Sequence, residues 1–247
     1  VTVLIKDALV DGKIRDIFIR DGVIEEISPA CTVPADRTVD GRDKIALPSF
    51  INGHTHAAMT LFRGYADDIP LKQWLEEKIW VLEAKLTEED VYWGAKLACL
   101  EMIKNGITAF NDMYWHFEGT ARATGEMGLR AVVSAVLIDL FDLKTMEEQI
   151  HRNVELFRKA RQYAPAVTFA LGPHAVYTVS PESLNWVREF SEENDVLIHM
   201  HLSETEEEQA FSKEKYGLSP VEFLEQRGLL SPRFVGCHGC WLDEEDC

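Results

Sequence analysis

Phe50-Ile-Asn-Gly-His-Thr-His56 opens on β-prone apolar residues and closes on two histidines two positions apart. Side chains alternate faces along a strand, so His54 and His56 point the same way, at the strand's C-terminal end. The pattern recurs downstream. Apolar, β-rich runs predict further strands over 107–113, 129–138, 167–174, 196–202 and 234–238. Helical periodicity fills the gaps, over 88–104, 118–127, 146–163, 181–193 and 220–226. Thr87-Glu-Glu-Asp90 has the form of a helix start, with Thr at the cap and an acid three residues on.

Strand followed by helix, repeated in series, implies a parallel α/β architecture. A doubly wound sheet and a barrel share that pattern, and the polar residues choose between them. His54, His56, Asp112, His174, His201 and His238 all sit at predicted strand ends. An open sheet gathers ligands at one switch point, whereas a barrel lets several successive strands converge at its C-terminal mouth. The reading is therefore a (β/α)8 TIM-type barrel over residues 48–247. About six of its strands are present, and the stretch is shorter than the roughly 250 residues of a typical barrel. Residues 1–47 alternate differently. Short β-branched runs are separated by Asp11-Gly12, Asp21-Gly22 and Asp40-Gly41, which predicts a small all-β unit of hairpins.

A net charge of −17 repels phosphate backbones and anionic headgroups, which argues against nucleic-acid and membrane-surface roles. No apolar run approaches the roughly 20 residues of a membrane span. The N-terminal VTVLIKDALVDGK reads as strand and turn rather than signal peptide. The chain begins on Val1 with no Met, so this need not be the native start. Five scattered cysteines suggest no disulfide framework, and a cytoplasmic setting is expected. Cys237-His-Gly-Cys240 has CxxC spacing but no second pair to complete a zinc site, so Cys237 is read as a packed strand residue.

The histidines carry the chemistry. Two imidazoles at i and i+2 can share one divalent ion at about 2.0–2.1 Å. His201, in His201-Leu-Ser-Glu204, can supply a third. His199 shares its parity on the strand, so geometry alone admits either. Glu204 follows where the strand gives way to a loop, within reach of a metal-activated water without being a ligand. With only eight histidines in the chain, their concentration at strand ends is informative.

The segments GHTHAAMTLFRGYADDIPLKQWLEEKIW, LTEEDVYWGAKLACLEMIKNGITAFNDMYW, GPHAVYT and HLSETEEE together resemble the amidohydrolase superfamily. Within it the sequence is most similar to the 5-methylthioadenosine/S-adenosylhomocysteine deaminases. The resemblance implies a mononuclear centre in a distorted barrel, beside a small β-sandwich domain built from both chain ends. It implies His54, His56 and His201 as ligands of one divalent ion, zinc or alternatively iron, which selects His201 over His199. It implies Glu204 and His238 as catalytic residues, the first moving protons and the second positioning the attacking water. His174 would contact the purine, Trp74 would line the pocket, Glu83 would bind ribose hydroxyls and Arg130 would meet the substrate's distal end.

The implied reaction is hydrolytic deamination of an adenosine-type nucleoside (5-methylthioadenosine, S-adenosylhomocysteine or 5′-deoxyadenosine) to the inosine-type product and ammonia. The alternatives are a deaminase or chlorohydrolase for guanine, cytosine or a triazine, and a non-catalytic purine-binding barrel. A homo-oligomer is compatible with the sequence. One departure stands out: the family's fourth protein ligand, an Asp after the eighth strand, has no counterpart here. Asp243 and Asp246 read as the start of a helix, not as that ligand. The expectation is a barrel truncated before strands seven and eight, inactive as residues 1–247 alone; full activity of those residues would make Asp112 the first residue to re-examine as the fourth ligand.

Overall fold

The computed structural model describes residues 1–246, which form two compact units, one from Val1 to Ser49 and one from Phe50 onward. The first is a single four-stranded sheet of β1 (Thr2–Val10), β2 (Lys13–Arg20), β3 (Val23–Ser28) and β4 (Arg37–Asp40), in the order β3-β2-β1-β4. The two hairpins turn on Asp11-Gly12 and Asp21-Gly22, whose four φ angles are all positive, from 47° to 81°. That is the geometry Asp-Gly favours, because its twist matches the flanking strands. β4 departs from the hairpin pattern and pairs in parallel with β1. Leu4, Phe18 and Cys31 form its small core.

The second unit carries six parallel strands, β5 (Phe50–Thr55), β6 (Ile107–Tyr114), β7 (Arg130–Leu137), β8 (Val167–Pro173), β9 (Leu197–Leu202) and β10 (Phe234–His238). They pair in strict chain order. In a flat sheet the first and sixth strands would lie roughly 24 Å apart, at about 4.8 Å per step. Instead the His54 and His238 rings, from β5 and β10, have centroids 5.0 Å apart. The sheet therefore curls into a barrel wall, with the strand C-termini converging. In β6 to β9 most residues on both faces are buried, so these strands read as nearly continuous apolar runs rather than alternating ones. Val133, Leu171, Ile198 and Met200 are completely or almost completely buried.

Helices Glu88–Lys104, Phe117–Met127, Leu143–Ala160, Pro181–Asn194 and Pro220–Gln226 fill the connections. Thr87 and Asp90 form a full capping box at the head of the first. Two helical stretches escaped the sequence reading. Residues 71–83 are helical with a π-turn over Leu75–Ile79, and Glu206–Tyr216 is a helix capped by Thr205. The second follows the acidic run after Glu204, whose three glutamates at 206–208 suit a helix N-terminus. Asp243 and Asp246, read as a helix start, lie outside the helices of the described residues; Asp246 is in a turn, and Asp243, just before it, accepts the Glu245 and Asp246 amides. No helix among the described residues is long and apolar enough to cross a membrane.

Candidate active site

The strand C-termini open into a cavity of about 370 Å³. His54, His56, Trp74, Glu83, His174, His201, Glu204 and His238 all line it. The sequence identified these eight residues from six separate segments, and curling the sheet is what brings them together. Arg130 is not among them. It is the exposed first residue of β7, paired with Ala109, at the opposite end of the barrel. A strand that long separates its two ends by roughly 20 Å, so the assignment of Arg130 to the substrate's distal end is corrected. Asp112 also stays out of the cavity. Fully buried, it accepts the Ala57 amide at 2.6 Å and so anchors the turn after His56.

The imidazoles are oriented by their backbone partners. His56 Nδ1–H donates to the Met113 carbonyl at 2.5 Å, and His201 Nδ1–H to the His174 carbonyl at 3.0 Å. Both Nε2 atoms therefore present lone pairs, and these face each other at 3.2 Å. Two lone pairs at that distance repel unless a cation lies between them. A proton cannot serve at neutral pH: burial, reinforced by neighbouring imidazoles, holds the His201 pKa well below its usual range and also lowers that of His56. The buried His54 Nε2 has no hydrogen-bond partner, and the His54 pKa is pushed down to about 3 by burial and the adjacent rings. Ligand atoms of His54, His201 and His238 lie within 4.8 Å of one another. Tetrahedral zinc with Zn–N bonds near 2.05 Å spaces two ligand nitrogens about 3.3 Å apart, so the residues present fit a divalent ion.

Around these rings the polar groups are few. Glu204 Oε1 lies 3.7 Å from His238 Nε2; burial raises the Glu204 pKa and His238 opposes the rise. Two residues in the left-handed region set this pair: Ser203 with φ 50° before Glu204, and His238 itself with φ 77°. Such strain concentrates where side chains must be aimed. His174 Nδ1–H donates to Thr178 Oγ1, whose own proton goes to the Ala175 carbonyl, leaving His174 Nε2 as an acceptor. Glu83 accepts from Trp115 Nε1 at 3.1 Å, and burial raises its pKa. Trp74 donates its indole N–H to the Ala66 carbonyl at 3.0 Å. Sequence reasoning missed the aromatic wall of Tyr114, Trp115 and Tyr177. The first two directly follow the predicted strand over 107–113, at the end where cavity residues gather.

The Amidohydrolase family model matches residues 45–247. The chain belongs to the amidohydrolase family. Among curated amidohydrolase relatives, a 5′-deoxyadenosine deaminase of Methanoregula boonei is 50% identical over 214 residues, covering 86% of this chain and 48% of the relative. A 5-methylthioadenosine/S-adenosylhomocysteine deaminase of Archaeoglobus fulgidus is 44% identical over 244 residues, covering 99% of this chain and 56% of the relative. The chain thus spans about half the length of the curated relatives it matches. A zinc-bound adenosine deaminase structure from Xanthomonas campestris aligns with a TM-score of 0.90 at 33% identity, covering 99% of this chain and 59% of that one. A guanine deaminase of C. acetobutylicum, at 21% identity and TM-score 0.83, shares the amidohydrolase fold.

Proposed function

We propose that this amidohydrolase is a metal-dependent deaminase that replaces the 6-amino group of an adenosine-type nucleoside by oxygen, releasing ammonia. The observation that carries the chemistry is the pair of Nε2 lone pairs on His56 and His201 facing each other at 3.2 Å beside the Glu204 carboxylate. We assign His54, His56 and His201 to a zinc ion, with iron the alternative. When bound, such an ion supplies activation of water at neutral pH. Glu204 accepts a proton from the entering water and delivers it to the adjacent ring nitrogen, a role its raised pKa suits. His238, beside Glu204, hydrogen-bonds the entering oxygen. His174 Nε2 accepts from the purine, Glu83 accepts from the ribose hydroxyls, and Trp74 closes one wall.

The names of the relatives support an adenosine derivative. Leu71, Leu75, Val136 and Ile138 add apolar lining, and no Lys or Arg lines the cavity among the described residues. That favours an uncharged 5′ substituent, as in 5′-deoxyadenosine or 5-methylthioadenosine, over the zwitterionic tail of S-adenosylhomocysteine. Ammonia release from full-length protein, measured across these three compounds, adenosine, guanine, cytosine and a chlorotriazine, tests the reading. Activity confined to a free base or a triazine would overturn it, and tight purine binding without turnover would favour a non-catalytic barrel.

We further propose that residues 1–247 alone are inactive and that additional polypeptide completes the barrel. Each outer edge of β5 and β10 has no strand partner among the described residues. Beside β5, Trp93, Leu97 and Leu100 form an exposed apolar stripe at helical spacing. Pairing with a second copy through these edges is the form of homo-oligomer the sheet would allow. The cysteines described as free, Cys31, Cys99, Cys237 and Cys240, suit the cytoplasm we assign to it.

A further inference from the structure

His199 lies one pleat below His201 on β9, completely buried and away from the cavity lining. Its ring touches three polar side chains. Ser134 Oγ lies 2.9 Å from Nδ1, while His54 Nδ1 and Cys237 Sγ each lie 2.9 Å from Nε2. His54 is the one proposed ligand whose second ring nitrogen has no backbone carbonyl; His56 and His201 each have one. We propose that His199 is the positioning residue for the His54 ring, held in turn by Ser134. The relay rests on the reading of His54 as a metal ligand.

The protons follow from that geometry. His54 offers its free Nε2 to the metal, so its proton is on Nδ1 and is donated to His199 Nε2. His199 Nε2 is then an acceptor, which places the His199 proton on Nδ1, donated to Ser134 Oγ. The Cys237 thiol, pushed up to about 12 by burial, stays protonated and is a weak second donor to the same nitrogen. A ring nitrogen so held fixes the ligand's tautomer and rotation, as carboxylates and carbonyls do behind other metal-bound histidines.

A competing use of these atoms is a second ion site, because donors of His54, His199 and Cys237 lie within 4.8 Å of one another. The distances decide against it. The 2.9 Å between His54 Nδ1 and His199 Nε2 is a hydrogen-bond length, below the roughly 3.3 Å that two nitrogens take on one tetrahedral ion. His56 and His201, at 3.2 Å, match the ion spacing instead.

Three measurements on full-length protein test the relay. Competition with a chelator for zinc should show His199→Leu binding 10–100-fold more weakly than wild type. His199→Gln, whose amide oxygen can accept from His54, should recover most of that loss, and Ser134→Ala, which changes little in the core, should fall between. In nitrogen-15 histidine spectra, His199 should carry its proton on Nδ1. In the cobalt-substituted protein, no thiolate-to-cobalt absorption band should appear. Zinc affinity unchanged in both His199→Leu and Ser134→Ala, or a His199 proton on Nε2, overturns the relay and leaves the metal centre standing. A thiolate-to-cobalt band overturns it in favour of a site on Cys237. A wild-type protein that binds neither zinc nor cobalt overturns the relay and the metal centre together.

Discussion

Replacing Glu204 by Gln separates the proton-transfer role from metal binding. The substitution keeps the side chain's length and one acceptor oxygen but removes the group that titrates. Nothing in the orientation of the proposed ligands depends on it. His56 and His201 are fixed by the Met113 and His174 carbonyls, and Glu204 Oε1 faces His238 Nε2 at 3.7 Å. Metal content should therefore stay at the wild-type level. A positioned general acid–base contributes on the order of 10²–10⁴ in rate, so kcat should fall by about that factor, equivalent to roughly 3–5 kcal/mol of barrier. The pH profile gives a second reading. Burial raises the Glu204 pKa above its ordinary value near 4.5, and the carboxylate is the form that takes the proton. Wild-type kcat/KM should thus decline as pH falls through that raised value, and the limb should vanish in the variant. Ammonia release and metal analysis on full-length protein, across pH, supply both measurements. A Glu204→Gln enzyme with more than about a tenth of wild-type kcat, or with the same acid limb, would refute the assignment.

His56→Ala should lower bound metal well below stoichiometric while leaving the fold intact by circular dichroism; full occupancy would remove His56 from the ligand set. Glu83→Gln should cut kcat/KM for ribonucleosides roughly 10–100-fold, the worth of a charge-assisted hydrogen bond, and leave an analogue lacking both ribose hydroxyls unaffected. Glu208 is buried with its pKa raised to about 7, so the folded state holds its proton more tightly than the unfolded chain. The part of the stability that Glu208 contributes should be greatest below pH 4.5, decline up to pH 7 and flatten above it. Glu208→Gln keeps an acceptor for the Glu204 amide, so it should gain on the order of 3 kcal/mol above pH 7 and little at pH 4, read by denaturant titration. Leu171→Ala, at a completely buried core position, should cost about 2–5 kcal/mol in the same assay; a loss under 1 kcal/mol would contradict the packing.

The sequence by itself determined the strands, most of the helices and most of the cavity. Helix 88–104 announces its start through Thr87 and Asp90, which bond each other's backbone locally. The Asp11-Gly12 and Asp21-Gly22 turns need nothing beyond their own backbone preferences. The spacing of His54 and His56 fixes their shared face, because a strand's side-chain period is two. The tertiary structure alone decided which residues meet across the chain. Arg130 and Leu137 share one strand, and the curl of the sheet puts only its C-terminal end at the cavity, which excludes Arg130. His199 and His201 have the same parity on β9, so no local signal distinguishes them. The barrel interior does: His201 reaches the level where His56 converges, whereas His199 stays one pleat deeper, against Ser134 of β7 and Cys237 of β10. Depth along a barrel axis depends on the stagger of neighbouring strands, a long-range property that no single strand carries in its own sequence.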